Sequence, residues 1–247
     1  GIMRKTLFII MLTLSFIGGL FAQVNIQAGL TVTENLDGIG TTATAPLPAG
    51  WKVDKNNSVR TLGTYAAAVT ATEKIGGNNM STTASQGIYN YGAGPAATAE
   101  DRAVGFLSSG SGTKSGNVYV QLTNNGSSAI NSFTISYNVE KYRMGTNPAG
   151  FSIQMYYSAD GTTWTTAGSS FLTSFPADAS TSGYDSAPGD TVPVNNAILS
   201  YSLPAGSSLY LAWNYSVTSG TTVTSAQALG IDDVSITATG TASPIII

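Results

Sequence analysis

The 247-residue chain contains 9% charged residues, carries a formal net charge of −3 and has neither cysteine nor histidine. These absences exclude disulfide bonds, Ser-His-Asp and Cys-His catalysis, and zinc sites built on histidine or cysteine. The acidic balance, without any basic cluster, predicts that the chain does not bind nucleic acid through phosphate contacts. Carboxylate, hydroxyl, lysine and tyrosine chemistry remain, together with cations such as calcium that prefer oxygen ligands.

The start of the chain has the pattern of a secretory signal peptide. After Met3, two basic residues precede an apolar run at 7–17, and small residues lead up to a cleavage position after Ala22. The apolar run is shorter than the roughly 20 residues of a membrane-spanning helix, and polar residues follow it at once. We therefore predict a signal peptide at 3–22, no membrane span after its removal, and a secreted or cell-surface protein.

Residues 23–240 are predicted to form one all-β domain. Ten or more short segments of apolar or alternating character are separated by Gly, Asn or Pro, and no helical pattern exceeds a turn or two. Ser, Thr, Gly, Asn and Ala dominate the composition, as suits strand surfaces and tight turns. The pattern predicts a two-sheet antiparallel β-sandwich of jelly-roll type.

In chain order, the first predicted strand spans 24–32 and runs into the acidic segment 33–38. Trp51 then follows a proline-containing turn, and we expect it to plug the core beneath a loop. The segment 58–65 is predicted to be a strand. Residues 66–72 are compatible with either a helical turn or an extended segment.

The middle of the chain contains well-alternating segments and one long irregular region. Residues 118–123 and 132–142 are separated by turn residues and form either a hairpin or a pair that crosses between sheets. The Asp-Gly dipeptide at 160–161 predicts a hairpin, with Trp164 packed beside its turn. Residues 171–194 contain three prolines without a sustained period, which predicts a long loop.

Two strongly alternating strands, 208–217 and 229–239, are predicted to pair and close the domain. In the second strand, Val234 and Ile236 lie on the apolar side, and Asp232 is expected to lie there too, because side chains alternate with a period of two.

A carboxylate at such a position is costly unless another group satisfies it. For Asp232, the alternatives are a calcium ion, backbone amides, or an arginine such as Arg60 or Arg102. The sequence leaves these alternatives open.

Four short motifs lie near the two ends of the mature chain. E-N-L-D-G at 34–38 and P-A-G-W at 48–51 are followed, much later, by L-Y-L-A-W at 209–213 and I-D-D-V-S-I at 231–236. Together they resemble the secreted bacterial jelly-roll modules of the choice-of-anchor and cleaved-adhesin type, which are distantly similar to MAM domains. Leu36 stands where that group usually has an aromatic residue.

The resemblance implies that the first and last strands lie side by side. It also implies that carboxylates of the early acidic loop and of the last strand can share one structural calcium ion, with Glu34, Asp37 and Asp232 as ligands and Asp233 as a further one. Modules of this group belong to larger surface or secreted proteins. Residues 241–247 are accordingly expected to begin a linker to further domains beyond Ile247.

These observations predict a non-catalytic extracellular module for adhesion or carbohydrate binding, with a glycan or a cell-surface or matrix ligand as its partner. One alternative is a glycoside hydrolase of jelly-roll fold, which needs two carboxyl groups about 5 to 9.5 Å apart. No matched pair is evident among the glutamates, which are Glu34, Glu73, Glu100 and Glu140. A second alternative is a purely structural spacer domain.

Overall fold

The computed structural model describes residues 23–240. The predicted signal peptide at 3–22 and the predicted linker at 241–247 lie outside the described residues. Within this range, fourteen strands form two seven-stranded sheets that pack face to face. The predicted all-β sandwich of jelly-roll type is confirmed. No helix between residues 23 and 240 is long and apolar enough to cross a membrane.

Sheet 1 contains β1 (Val24–Ile26), β3 (Trp51–Asn56), β7 (Ser115–Asn124), β9 (Phe151–Ser158), β10 (Thr165–Thr166), β11 (Leu172–Phe175) and β13 (Ser208–Val217). β13 lies at its centre, between β7 and β9. β1 and β3 share the other edge of β7, and β10 and β11 share the other edge of β9.

Sheet 2 contains β2 (Thr31–Glu34), β4 (Lys74–Gly76), β5 (Gly87–Gly92), β6 (Arg102–Leu107), β8 (Ile130–Arg143), β12 (Asp190–Leu203) and β14 (Ala228–Gly240). β14 pairs with β8 along one edge and with both β6 and β2 along the other. The sheets are mixed, because β1 pairs with β7 and β4 pairs with β5 in parallel, whereas the other strand pairs are antiparallel.

Aromatic side chains from both sheets meet in the core. Trp51 of β3 stacks on Trp213 of β13, with 5.7 Å between the ring centroids. Tyr137 of β8 approaches Trp213 edge-on at 5.6 Å from the facing sheet. Trp51 is only 3% exposed, so the prediction that it plugs the core is confirmed. Large aromatic side chains at these positions bury apolar area on both sides of the sandwich.

The start of the chain divides between the two sheets. The predicted strand at 24–32 is two strands, β1 and β2, separated by a turn at Gly29, which has φ 85°. β2 then pairs antiparallel with β14, and Glu34 lies opposite Val234. The implied placement of the first and last strands side by side therefore holds for β2, whereas β1 pairs with β7 in the other sheet.

The prediction that the two closing strands pair is wrong. β13 lies in sheet 1 and β14 in sheet 2, and the same is true of β7 and β8, which form the cross-sheet alternative. Alternation determines which side chains of a strand face the core. It does not determine the sheet to which the strand belongs, because strands of both sheets alternate in the same way. The ten residues at 218–227 are long enough to cross the roughly 10 Å between packed sheets.

Two further segments differ from the prediction, and one hairpin agrees with it. Residues 58–65 form a loop rather than a strand; Arg60 has φ 50°, and its backbone N–H bonds to the Ser216 hydroxyl instead of a strand. The predicted long loop at 171–194 contains β11 and the first residues of β12. The hairpin at Asp160-Gly161 is confirmed, since β9 pairs with β10.

Candidate functional site

The predicted metal ligands lie around a β-bulge in β14. Asp232 is opposite Asn138 and Ser235 is opposite Ser136, so the β14 side carries one residue more than β8. Asp233 occupies this extra position with φ 50°. A bulge reverses the alternation of the side chains that precede it.

The bulge places Asp232 on the outer face of sheet 2, on the same side as its neighbour Asn138. Val234 and Ile236, beyond the bulge, face the other sheet. Asp232 is nevertheless buried, with 2% of its surface exposed. The expectation of a buried carboxyl is thus confirmed, but the expectation that it shares a face with Val234 and Ile236 is wrong, because the inserted residue changes the parity.

The hydrogen-bond partner of Asp232 is a backbone amide. The N–H of Asp233 donates to Asp232 Oδ1 at 2.6 Å. The predicted arginine partners bond elsewhere: the Arg60 guanidinium donates to the Val217 and Gly220 carbonyls, and that of Arg102 to Asn90 and to the Ala96 and Ala99 carbonyls. The alternative in which an arginine neutralises Asp232 is therefore wrong.

Burial and neighbouring acids make this cluster retain protons. Burial is the main cause that raises the pKa of Asp232 to about 9. The hydrogen bond from the Asp233 amide lowers this pKa, and the nearby carboxylates of Glu140, Asp233 and Asp101 raise it. Burial also raises the pKa of Glu140 to about 7, although the Tyr142 hydroxyl donates a hydrogen bond to it. At neutral pH, Asp232 is therefore uncharged.

Two other predicted metal ligands, Glu34 and Asp37, already accept hydrogen bonds from the protein. Glu34 Oε1 accepts a hydrogen bond from the Leu36 N–H at 2.8 Å, which shapes the loop after β2. Asp37 Oδ1 accepts one from the Arg102 N–H at 2.9 Å, and its other oxygen accepts one from the Asn35 amide. Both carboxylates thus serve the local structure of the acidic loop.

Glu34 and Asp233 both line one cleft of about 450 Å³. Asp232 and Asp37 do not line this cleft. Among residues 23–240, no three carboxylates are arranged closely enough to hold a metal ion. The oxygen donors suit calcium in chemistry, but binding would require Asp37 or Asp232 to give up its present hydrogen bonds.

A second candidate site lies on the outer face of sheet 1. Five aromatic side chains form what we term the aromatic patch: Tyr65, Tyr119, Tyr156, Trp164 and Tyr210. Tyr119 and Tyr65 are buried and form its floor, whereas the other three are half-buried. Ring centroids are 5.3 Å apart for Tyr119 and Trp164 and 5.0 Å apart for Tyr65 and Tyr210.

The strands and one loop position the aromatic patch. Tyr119 of β7 and Tyr156 of β9 both lie opposite Ala212 of β13, so the three form one row across the sheet. The small side chain of Ala212 leaves space between the two rings. Trp164, just after the hairpin turn, donates its indole N–H to the Gly63 carbonyl at 2.8 Å, which ties the patch to the loop at 57–69.

A polar row runs beside the aromatic patch. Asp54, Asn117, Asn214 and Gln154 are consecutive cross-strand neighbours on this face. The Asn117 amide donates to Asp54 Oδ1 at 2.6 Å, and the Asn214 amide donates to Asn117 Oδ1 at 2.7 Å. Burial raises the pKa of Asp54 despite these bonds. The face therefore combines aromatic rings with amide and hydroxyl groups.

The sequence analysis did not identify this face as a candidate site. The available signal was the period-two pattern within β13, in which Tyr210, Ala212 and Asn214 alternate with the core residues Leu211 and Trp213. That pattern identifies outward positions. Which loop covers them and which rings meet there depends on residues far apart in the chain.

No family model and no curated protein matches the chain. Among solved structures, it is similar to the K1 cleaved adhesin domain of Lys-gingipain from Porphyromonas gingivalis W83, with 16% identity, a TM-score of 0.41, and coverage of 86% of this chain and 100% of that one. The K2 cleaved adhesin domain of Lys-gingipain has 14% identity, a TM-score of 0.40, and coverage of 84% and 97%.

A second kind of similar structure is the CBM22-1 xylan-binding domain from Paenibacillus barcinonensis Xyn10C. It has 14% identity, a TM-score of 0.40, and coverage of 88% of this chain and 99% of that one. The cleaved-adhesin group, which the sequence motifs resemble, is thus found among the structural neighbours.

Proposed function

We propose that the chain is a non-catalytic, extracellular carbohydrate-binding module of a larger secreted or cell-surface protein. The observation that carries the proposal is the aromatic patch, where Tyr156, Trp164 and Tyr210 are half-buried together on one sheet face. Aromatic rings offer broad apolar faces with a polar edge, which suits stacking on sugar rings. The hydroxyl groups of the half-buried Tyr156 and Tyr210 can bond the sugar hydroxyls.

The packing of the patch supports binding because it holds the rings in place before a ligand arrives. Trp164 is fixed by its bond to the Gly63 carbonyl, and Tyr210 packs on the buried Tyr65. Side chains that are already ordered lose less conformational entropy on binding.

Binding is tested by isothermal titration of the mature chain with oligosaccharides. Xylo-oligosaccharides are the first probe, since a xylan-binding domain is among the similar structures, and a glycan array extends the search. Trp164→Ala and Tyr156→Ala are each expected to weaken binding at least tenfold. Tyr201→Ala is the matched control, because Tyr201 is a half-buried aromatic that contacts Tyr157 outside the patch.

Circular dichroism spectra of the variants separate loss of binding from loss of folding. Equal binding by the three variants would contradict the proposed site. A folded wild-type protein that binds no glycan would favour the structural spacer instead.

Burial speaks against the alternative of a glycoside hydrolase. Glu140 and Asp232 are the two carboxyls with the most strongly raised pKa values, as a general acid would need. They are only 6% and 2% exposed, which leaves a sugar no access to them. We expect no release of reducing sugar from mixed polysaccharides, and activity that Glu140→Gln abolishes would overturn this expectation.

We also propose that the acidic cleft between Glu34 and Asp233 takes up a structural calcium ion. Its support is that two carboxylates, Glu34 and Asp233, line the same cleft. Burial, and then the negative charges of Asp101 and Asp37, raise the pKa of Asp233, so a cation there would offset that repulsion. Calcium prefers carboxylate oxygens and tolerates irregular geometry.

A further inference from the structure

A polar groove of about 760 Å³ opens where the ends of both sheets meet. Its walls come from the end of β3, from the start of β4, from the loop before β5 and from the loop before β7. All of its lining side chains are polar apart from the glycine at 112. It shares no residue with the aromatic patch or with the acidic cleft.

The groove carries one positive charge that the protein does not balance. Lys55 and Glu73 form an ion pair at 2.6 Å across its wall. The side-chain ammonium of Lys74, also in the lining, makes no ion pair or hydrogen bond with any of the described residues. This ammonium is conspicuous because the mature chain has eight basic residues against thirteen acidic ones.

Local backbone geometry holds Lys74 over the groove. Gly87 has φ 147°, and a Cβ there would lie 2.9 Å from Lys74 Cε and 3.0 Å from Glu73 Oε2. The absence of a side chain at Gly87 therefore lets the Lys74 stem and the Glu73 carboxylate lie against the strand. On the opposite wall, Gln86 accepts a hydrogen bond from the Thr113 N–H and donates one to Ser111, which fixes that side.

We propose that this groove binds the carboxylate of an acidic sugar residue, such as a uronic acid, with Lys74 as its charge partner. The choice of an anion rests on the groove alone, whereas the choice of a sugar rests on the proposed carbohydrate function. Because Lys55 is paired with Glu73, the Lys74 ammonium is the one charge left for a ligand, which suits a ligand with a single carboxylate. A polyanion such as nucleic acid would be repelled by the excess of acidic residues.

The experiment is titration of the mature chain with xylotriose bearing one glucuronic acid branch and with the methyl ester of the same sugar, which lacks the charge. The acid is expected to bind at least tenfold tighter than the ester. Lys74→Ala is expected to remove this difference, and Glu73→Gln to increase it, because the amide frees Lys55. Raising the salt concentration is expected to weaken binding of the acid but not of the ester, since ions screen an exposed charge pair.

Lys114→Ala is the matched control, because it removes the same charge from a side chain outside the groove lining. Its effect is expected to stay below twofold. Equal affinity for acid and ester, no binding of either, or equal effects of Lys74→Ala and Lys114→Ala would each overturn the proposal.

The two proposed binding sites can be tested independently of each other. If Trp164→Ala abolishes binding of the acid while Lys74→Ala leaves it unchanged, the groove proposal is wrong and the aromatic patch stands. If Lys74→Ala acts as expected and Trp164→Ala leaves the affinity for both sugars unchanged, the proposal that the aromatic patch binds sugar is wrong.

Discussion

Asp232 lies opposite Asn138 across the ladder between β14 and β8, and the inserted residue Asp233 reaches back to the same Asn138 amide at 3.0 Å. Two adjacent carboxyls therefore share one outer face at the bulge. One is buried and protonated at neutral pH, and the other is exposed and borders the cleft beside Glu34. This arrangement is expected to link the stability of the domain to pH.

Stability is expected to fall as pH rises from about 4 to 9. The folded state holds protons on Asp232 and Glu140, with pKa values of about 9 and about 7, at pH values where the unfolded chain has released them. Stabilisation is complete below the unfolded pKa values and is lost as pH rises through the folded ones, by up to about 1.4 kcal/mol per pH unit for each group. Urea denaturation at pH 5, 7 and 8.5 measures this, and a flat or rising curve would contradict it.

Asp232→Asn is expected to stabilise the domain at pH 8.5 by at least about 1 kcal/mol and to flatten its pH dependence. The amide has the shape of the protonated acid, retains an oxygen for the Asp233 N–H and cannot ionise. Asp185→Asn, at an exposed carboxyl, is the control and should leave the curve unchanged. An equal response of the two variants would show that the buried carboxyl does not govern the pH dependence.

Calcium is expected to raise the melting midpoint, and EGTA is expected to reverse the rise. An ion that binds the folded state alone stabilises it by about 2.7 kcal/mol at a concentration of 100 times its Kd. Asp233→Asn and Glu34→Gln, which remove the charges of the two carboxylates that line the cleft, should each reduce the shift. Identical melting curves in calcium and in EGTA would rule out the proposed ion, and an equal shift in Asp190→Ala and in the cleft variants would place it elsewhere.

Tyr119→Phe is expected to destabilise the domain by about 1 to 3 kcal/mol, because buried groups then lose their partners. The Tyr119 hydroxyl donates to Asp54 Oδ2 at 2.8 Å and accepts from the Gly63 N–H at 2.9 Å. Denaturation by urea measures the change. Tyr201→Phe, at a half-buried edge position, should change stability by less than about 0.5 kcal/mol.

Much of the fold was predictable because it depends on local period and turn chemistry. The alternation in 208–217 and 229–239 correctly indicated two strands, and Asp160-Gly161 correctly indicated a hairpin. The burial of Trp51 was likewise predicted from its position after a turn. The pairing of β2 with β14 followed from the family resemblance rather than from any local pattern.

The candidate sites were less predictable. Glu34 and Asp233 do border one cleft, but Asp37 is taken up by the Arg102 N–H, which lies 65 residues away in the chain. The bulge at Asp233 could not be read from its sequence, since a carboxylate at that position fits an uninterrupted strand equally well. The aromatic patch could not be predicted without knowing where the loop at 57–69 packs against sheet 1.

The sequence by itself determined that the chain is built from strands, which of their side chains are apolar, and that its chemistry is limited to carboxylates, hydroxyls, amines and aromatic rings. Only the tertiary structure decided which sheet each strand joins, which way Asp232 faces, and which rings and charges meet on the surface. The physical reason is range: alternation and turn preference act between near neighbours, whereas strand partners and site residues are chosen by packing between segments that lie up to about 200 residues apart.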